Sequence, residues 1–192
     1  MKYTPNDKWS RKAAEEGYRA RSVFKLEELD KRFRLLKKNM MVLDLGAAPG
    51  SWLQYAAEKV GAKGKVIGLD LQEIEPIGKN VMTAVADITD IDEVQKIIGK
   101  NTIDIVISDV APSTSGIKDV DQWKSVELSE AVLATAEKVL KKDKICVMKV
   151  LRGADFDEFL AQTRKKWKLV KATTVKASRD SSREVYVVLK KM

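Results

Sequence analysis

The first strong hydrophobic pattern in the chain has the period of a helix. Its apolar positions are Val23, Leu26, Leu29, Phe33 and Leu36. Residues three or four positions apart share one face of a helix, so the pattern predicts an amphipathic helix over about 20–37. This is the second of two helices predicted to precede the first strand.

After residue 40 the pattern changes to short apolar runs that alternate with helical stretches. The runs that predict strands are 41–45, 65–69, 81–86, 103–108, 145–150, 168–176 and 184–190. The intervening helices are predicted at about 51–60, 90–99, 121–141 and 155–166. This alternation predicts an α/β fold with a doubly wound, mostly parallel sheet flanked by helices. The last two strands are adjacent in sequence and predict an antiparallel final strand.

The composition excludes several kinds of catalytic site. The 192 residues include no histidine and one cysteine, which excludes an imidazole base, a Ser-His-Asp triad, an HExxH zinc site and an internal disulfide. We expect one domain over 1–192, made of a basic helical extension at 1–38 and a catalytic core at 39–192. The sequence shows neither a signal peptide nor a membrane-spanning stretch, so we expect a cytoplasmic protein.

The net charge of +8 is distributed unevenly along the chain. Residues 1–38 carry a net charge of +6, residues 39–163 carry −6, and residues 164–192 carry +8. Basic ends around an acidic centre indicate a catalytic body with a surface that binds a polyanion, although solvated lysine-rich helix faces would give the same counts.

A glycine-rich turn follows the first predicted strand, in the sequence DLGAAPGSW from Asp44 to Trp52. Glycines at such a turn let a ligand approach the backbone closely, and the start of the next helix favours an anionic group. The turn matches neither GxGxxG nor a P-loop, so a carboxylate fits it better than a pyrophosphate. Asp70 and Asp87 follow the next two strands and fit the ribose and the adenine of a nucleoside-bearing cofactor.

Two residues at the ends of later strands are candidates for catalysis. Asp109 follows the fourth strand in SDVAP, and Lys149 ends the fifth in MKV. Because the carboxyl ends of parallel strands lie at one sheet edge, we expect these side chains to emerge together beside the cofactor. Lys25 and Glu184 could complete a group of two lysines and two carboxylates; the alternative is a set of independent surface ion pairs.

Five motifs resemble, in order, those of the FtsJ/RrmJ family of S-adenosylmethionine-dependent RNA ribose 2′-O-methyltransferases. They are GYRARSVFKL from residue 17, DLGAAPGSW from 44, SDVAP from 108, MKV from 148 and SREVY from 182. The match extends over about 9–190, and the motifs are jointly specific. The resemblance implies a Rossmann-like methyltransferase fold. Ser51 stands where the family often has a further glycine.

The resemblance also implies roles for individual residues. It places the family's catalytic tetrad on Lys25, Asp109, Lys149 and Glu184, with Lys149 as the proton acceptor. It implies S-adenosyl-L-methionine as cofactor and no metal. The implied cofactor contacts are Gly46, Ala48, Gly50, Trp52, Asp70, Asp87 and Asp109. A lysine base must be neutral when it acts, which a neighbouring cation such as Lys25 favours. The pairing between the two carboxylates and the two lysines stays open.

Basic residues at both ends of the chain are predicted to bind RNA phosphates. They are Arg11, Lys12, Arg19, Arg21, Arg179 and Arg183. Cations meet phosphates, and nearby aromatic rings can stack on bases. Trp123, Phe159 and Trp167 are instead predicted to pack in the core or between helices. We expect a monomer whose partner is large-subunit rRNA or a ribosomal subunit, and which binds neither DNA nor membrane.

Four functions are considered from the sequence. The preferred one is methylation of a uridine 2′-hydroxyl in the large-subunit (23S) rRNA, and a transfer RNA ribose is the close alternative. An NAD-dependent oxidoreductase is disfavoured by the missing GxGxxG motif and by the absence of histidine. A non-catalytic RNA-binding assembly factor is disfavoured because all four tetrad residues are present.

Overall fold

One seven-stranded sheet organises the residues that the computed structural model describes, which are 7–112, 116–179 and 182–192. The strands are β1 (Met41–Leu45), β2 (Lys65–Asp70), β3 (Val81–Val85), β4 (Ile103–Ser108), β5 (Leu140–Leu151), β6 (Trp167–Thr173) and β7 (Glu184–Lys191). The helices are α1 (Lys8–Glu15), α2 (Val23–Phe33), α3 (Ser51–Val60), α4 (Ile91–Ile98), α5 (Lys118–Val139) and α6 (Phe156–Lys166). The first six residues of the predicted basic extension lie outside the described ranges.

The spatial order of the strands is β3-β2-β1-β4-β5-β7-β6. Strands β1 to β5 pair in parallel, and β7 pairs antiparallel with both β5 and β6. The predicted fold class is therefore confirmed. The order reverses between β1 and β4, and this switch point is where open α/β sheets bind ligands, beyond the carboxyl ends of the strands.

Two apolar cores cover the two faces of the sheet. One core packs α4, α5 and α6 against the sheet, and the other packs α1, α2 and α3. Side chains alternate between the faces along each strand. On β5, Val147 faces α1–α3, and Lys149, two residues further, lies on the same side. On β7, Tyr186 also belongs to this side, which carries the candidate site residues described below.

The predicted elements are present, but three expectations needed correction. The helix expected over 20–37 ends at Phe33, because Arg34 adopts the left-handed conformation with φ of 52° and its N–H bonds to the Asp30 carbonyl. Strand β5 begins at Leu140 rather than 145, because Leu140 pairs with Ile103 of β4 before a register shift, and regular pairing resumes at Ile145. Trp123 was predicted to be packed and is 58% exposed, whereas Phe159 and Trp167 are buried as predicted.

Candidate functional site

The four tetrad residues lie together at the carboxyl edge of the sheet. Nζ of Lys149 is 3.2 Å from Oδ1 of Asp109, and Nζ of Lys25 is 3.9 Å from Oδ2 of the same carboxylate. Lys25 also donates to both oxygens of Glu184, at 2.9 and 2.8 Å. The pairing that the sequence left open is therefore visible: Glu184 binds Lys25, and Asp109 lies between the two lysines. The alternative of independent surface ion pairs is wrong.

Both lysines of this group are buried. Lys25 is 7% exposed and Lys149 is 5% exposed. The Lys149 ammonium also donates to the backbone carbonyl of Asp109. Burying a charge is costly unless it is paired and hydrogen-bonded. The carboxylates of Asp109 and Glu184 provide that compensation, so each buried lysine depends on its carboxylate partners.

The fold brings these residues together from four elements. Lys25 belongs to α2, Asp109 follows β4, Lys149 lies on β5, and Glu184 begins β7. In the antiparallel β5–β7 pair, Lys149 lies opposite Tyr186 and Leu151 lies opposite Glu184. Alternation on each strand then directs the side chains of Lys149, Glu184 and Tyr186 to the face that α2 covers.

Electrostatics hold Glu184 in its ionised form. Burial by itself would raise the pKa of Glu184, but the Lys25 ammonium and hydrogen bonds from Lys25 and Ser178 lower it below its usual value. The Ser178 hydroxyl donates at 2.7 Å. An ionised Glu184 keeps Lys25 fixed beside Asp109.

Tyr186 is a member of the site to which the sequence analysis assigned no role. Its phenol donates a hydrogen bond of 2.6 Å to Oδ1 of Asp109, and its side chain is fully buried. Burial, followed by the carboxylates of Asp109 and Glu184, raises the pKa of Tyr186 well above its usual value. The phenol of Tyr186 therefore keeps its proton and remains the hydrogen-bond donor to Asp109. The signal was available, because Tyr186 lies two residues after Glu184 and shares its strand face.

The predicted cofactor turn closes tightly against the end of β4. Gly46 has φ of +77°, and a Cβ there would lie 2.5 Å from Cβ of Val110. Gly50 also has a positive φ, +105°. A larger residue at position 46 would force the ends of β1 and β4 apart. Both glycines are thus required by the local geometry.

A small cavity of about 30 Å³ lies between this turn and the tetrad. Among the described residues its lining comprises Ser22, Asp44, Gly46, Ala47, Ala48, Ser51, Trp52 and Asp109. It is large enough for one small group only, so a nucleoside-sized ligand would extend over the open strand ends. Clefts of about 450 and 880 Å³ lie elsewhere, and neither is lined by a predicted site residue.

Asp44 is the second site residue to which the sequence analysis gave no role. It is 1% exposed, and its Oδ2 has no hydrogen-bond partner among the described residues. Burial, and then the Asp109 and Asp70 carboxylates, raise its pKa well above the usual value. A buried carboxyl group that lines a cavity and has one oxygen without a partner is suited to receive a cationic group. In the sequence, Asp44 could have been recognised as the one charged residue inside the apolar run MVLDL.

Asp70 ends β2, and Asp87 lies two residues beyond the end of the neighbouring strand β3, as predicted. Asp70 accepts hydrogen bonds of 2.9 Å from the backbone N–H groups of Ala48 and Gln72. It therefore joins the cofactor turn to the end of β2. Asp87 is exposed and accepts from the backbone and hydroxyl of Thr89. These bonds lower the pKa of Asp87. Asp70 and Asp87 thus place two carboxyl groups at the same edge of the sheet.

Trp52 and Ser51 attach the cofactor turn to the N-terminal segment. The indole of Trp52 donates to the Ser22 carbonyl at 2.8 Å, and the hydroxyls of Ser51 and Ser22 lie 2.9 Å apart. Trp52 is buried and its ring lies 6.2 Å from that of Tyr186, centroid to centroid. Trp52 therefore forms one wall of the cavity and lies beside Tyr186, which contacts Asp109.

The predicted RNA contacts separate into different environments. Arg21 and Arg179 line a cleft of about 440 Å³ together with Lys25 and Glu184. Arg21 donates to the Ala177 carbonyl at 2.6 Å and pairs with Asp7. This cleft places cationic side chains directly beside the tetrad.

The other four predicted RNA contacts do not line this cleft. Arg11 is exposed on α1, and Lys12 lies over the rings of Phe24 and Trp9. Arg183 accepts a backbone hydrogen bond from Arg152. Arg19 directs its guanidinium at three backbone carbonyls.

Two negative findings concern the described ranges. No helix there is both long and apolar enough to cross a membrane. In the same residues, no group of three or more potential metal ligands is close enough to hold an ion.

Comparison with known proteins gives consistent matches. The chain is 41% identical over 192 residues to the ribosomal RNA large subunit methyltransferase E of Bdellovibrio bacteriovorus, covering 98% of this chain and 97% of that protein. It is 44% identical over 189 residues to the protein of that name from Myxococcus xanthus, covering 97% and 89%.

A solved structure and a family model agree with these relatives. A structure described as a ribosomal RNA methyltransferase from Plasmodium falciparum is 30% identical, with a TM-score of 0.80, and the match covers 91% of this chain and 98% of that one. The model of the FtsJ-like methyltransferases matches residues 18–192. The described tetrad, turn and acidic strand ends lie within this range. The chain therefore belongs to the FtsJ-like methyltransferase family.

Proposed function

We propose that this protein methylates a ribose 2′-hydroxyl in large-subunit ribosomal RNA, with S-adenosylmethionine as the methyl donor. The observation that carries the proposal is the buried cluster of Lys149, Asp109, Lys25 and Glu184 beside the cavity at the β1–β4 switch point. The relatives named above, which match along almost the whole chain, are large-subunit rRNA methyltransferases by name.

The residues at the switch point suit the proposed cofactor. Asp44 offers a buried, unpartnered carboxyl oxygen to an ammonium group. Gly46 and Gly50 let a ligand approach the backbone, while Asp70 and Asp87 offer carboxylates to ribose hydroxyls and an adenine amino group. When bound, S-adenosylmethionine supplies a methyl group already activated by a sulfonium.

The chain itself must position the ribose and remove a proton. A ribose hydroxyl is a weak nucleophile until a base takes its proton. Lys149 is the candidate base, and in its neutral form Nζ would accept that proton. Oδ1 of Asp109, 3.2 Å away, would then stabilise the resulting ammonium. Tyr186 fixes the orientation of the same carboxylate.

Lys25 and Glu184 would control the electrostatic environment of the base. Lys25 is held by two hydrogen bonds to Glu184 and lies 3.9 Å from Asp109. Lys25 would thereby place a second positive charge on the far side of the Asp109 carboxylate from Lys149.

The cleft lined by Arg21 and Arg179 would receive the RNA backbone. It shares Lys25 and Glu184 with the tetrad, so a bound phosphodiester would bring a ribose close to Lys149. Each phosphate contact adds to the salt dependence of binding. RNA affinity should therefore fall steeply with salt, and a flat salt titration would contradict a phosphate-binding surface.

The proposal is tested by locating the transferred methyl group. The protein is incubated with labelled S-adenosylmethionine and, in parallel, undermethylated large ribosomal subunits, free large-subunit rRNA and total transfer RNA. We expect label at one ribose of the rRNA, detected as a linkage that resists alkaline cleavage. Label confined to transfer RNA would support the alternative substrate, and absence of label would support the non-catalytic assembly factor. Label on a base would contradict ribose methylation.

A further inference from the structure

The guanidinium of Arg19 binds two separate loops at the edge of the cofactor site. Nη1 donates to the Pro49 carbonyl at 3.1 Å and to the Glu75 carbonyl at 2.8 Å, and Nη2 donates to the Pro76 carbonyl at 2.9 Å. Pro49 belongs to the turn at 46–50, whereas the other two carbonyls belong to the loop after β2. One planar side chain therefore joins both loops.

Gly50 lies at the centre of this junction. A Cβ at Gly50 would lie 2.9 Å from Cδ1 of Ile77, 3.0 Å from Nη1 of Arg19 and 3.2 Å from Cγ2 of Ile74. The guanidinium and two side chains of the loop after β2 thus pack directly against the turn. The absence of a side chain at Gly50 is what allows this approach.

The backbone of Arg19 is fixed to the same part of the protein. Its N–H donates to Oε1 of Gln54 at 2.9 Å, and Nε2 of Gln54 donates to the Gly17 carbonyl at 3.0 Å. Gln54 lies in the first turns of α3, directly after the cofactor turn. Arg19 is therefore anchored at both its backbone and its guanidinium.

We propose that Arg19 is a positioning residue for the cofactor rather than an RNA contact. The inference rests on the proposed function, because it concerns binding of S-adenosylmethionine. The turn at 46–50 is also joined to the end of β2, where the loop begins, by the Asp70–Ala48 bond. Arg19 provides a second connection on the outer side, so that Gly50, Ala48 and Asp70 keep a fixed relative position. Preorganised walls reduce the cost of ordering the site when a ligand binds.

Arginine is specifically suited to this role. Its planar guanidinium offers five N–H donors in a fixed fork, whereas lysine offers donors from a single point. Arg19→Lys keeps the charge and most of the stem but cannot bridge the three carbonyls in the same way. A phosphate contact, by contrast, would retain much of its affinity with lysine, because that attraction depends mainly on charge.

The experiment measures binding of S-adenosylhomocysteine by calorimetry, without RNA, to the wild type, Arg19→Lys and Arg19→Gln. We expect both variants to bind about tenfold more weakly, the scale of one or two lost hydrogen bonds. Arg32→Lys is the matched control, since Arg32 also binds a carbonyl and a hydroxyl, of Thr174 and Thr173, away from the cofactor turn. Its affinity should stay within about twofold.

Steady-state kinetics distinguish positioning from general loss of structure. For Arg19→Lys we expect KM for S-adenosylmethionine to rise about tenfold, while kcat at saturating cofactor stays within about threefold. A second measurement uses only the wild type: amide exchange in residues 71–78 should slow when S-adenosylhomocysteine binds. Because this exchange measurement needs no variant, it tests the proposal even if an Arg19 variant fails to fold.

The outcomes separate this inference from the proposed function. If the wild type does not bind S-adenosylhomocysteine, the proposed function fails first. If the wild type binds and Arg19→Lys binds equally well, the positioning role is overturned while the proposed function stands. Weakened RNA binding with unchanged cofactor affinity would also overturn it and restore Arg19 as a phosphate contact. The positioning role would also be contradicted if amide exchange at residues 71–78 did not slow when S-adenosylhomocysteine binds.

Discussion

Tyr186 donates a 2.6 Å hydrogen bond to Oδ1 of Asp109, the same oxygen that lies 3.2 Å from Nζ of Lys149. The two contacts define the direction of the carboxylate relative to the base. Because Tyr186 is fully buried on β7 and lies opposite Lys149 in the β5–β7 register, the sheet itself fixes this geometry. Catalysis should therefore depend on a residue that does not contact the ribose.

Tyr186→Phe removes this hydrogen bond and keeps the ring. We expect kcat to fall roughly tenfold, since a hydrogen bond to a charged group contributes about 1.5–3 kcal/mol. Affinity for S-adenosylhomocysteine should stay within about twofold. The control is Tyr55→Phe, which removes a buried phenol's bond to Asp30 away from the site. Equal loss of kcat in both variants would contradict a specific role for Tyr186.

Glu184→Gln tests the ion pair with Lys25 through its pH dependence. The pKa of Glu184 is lowered in the folded protein, so its stabilisation is present above the unfolded value of about 4.3 and lost as pH falls through the folded value. At neutral pH the variant should be about 2 kcal/mol less stable, because Lys25 stays buried without its partner. Urea unfolding from pH 3 to 7 measures this.

The difference in unfolding free energy between wild type and Glu184→Gln should shrink at acid pH. The exposed Glu73 provides the matched variant Glu73→Gln. A difference that is constant with pH, or that grows as pH falls, would show that Glu184 does not stabilise the fold as an ionised partner of Lys25.

Asp44→Asn tests the assignment of a cation-binding carboxyl in the cavity. Burial raises the pKa of Asp44, so the folded state holds its proton to higher pH than the unfolded chain. Stability associated with this group is therefore highest at low pH and falls as pH rises toward the folded value. The substituted amide does not titrate, so the variant should gain stability relative to the wild type as pH increases. Urea unfolding across the same pH range measures this difference.

Binding of a ligand ammonium beside Asp44 should also release part of a proton. Calorimetry of S-adenosylhomocysteine binding in buffers of different ionisation enthalpy measures this release. We expect it in the wild type and not in Asp44→Asn, whose affinity should be about tenfold lower. The same release in both proteins would exclude Asp44 as the group that meets the ammonium.

The strand pattern could be predicted from local sequence, but element boundaries could not be in every case. Strand β1 is an apolar run that needs no partner to be recognised. Strand β5 begins five residues earlier than predicted, because Leu140 pairs with Ile103 of β4 ahead of the polar residues 141–144, where the register shifts. Trp123 shows a similar limit: its ring suggested packing, yet its position on α5 leaves it exposed.

The sequence predicted which residues belong to the site better than it predicted how those residues contact one another. Asp109 and Lys149 follow from strand ends that share one edge. Lys25 and Glu184 are separated by 159 residues, so the residues alone made them candidates for one group, and the family resemblance assigned them to the tetrad. Arg19 counted as a basic residue in a basic segment, and sequence does not reveal that its donors are directed at backbone carbonyls.

The role of Lys149 as the base is tested most directly by single-turnover methyl transfer. The variants are Lys149→Ala and Lys149→Arg, with saturating labelled S-adenosylmethionine. Both variants lack a side chain that can accept the hydroxyl proton, since arginine is not deprotonated in proteins. We predict transfer at least about 10³-fold slower than wild type, with affinity for S-adenosylhomocysteine within about threefold. Near wild-type transfer by either variant would contradict Lys149 as the base.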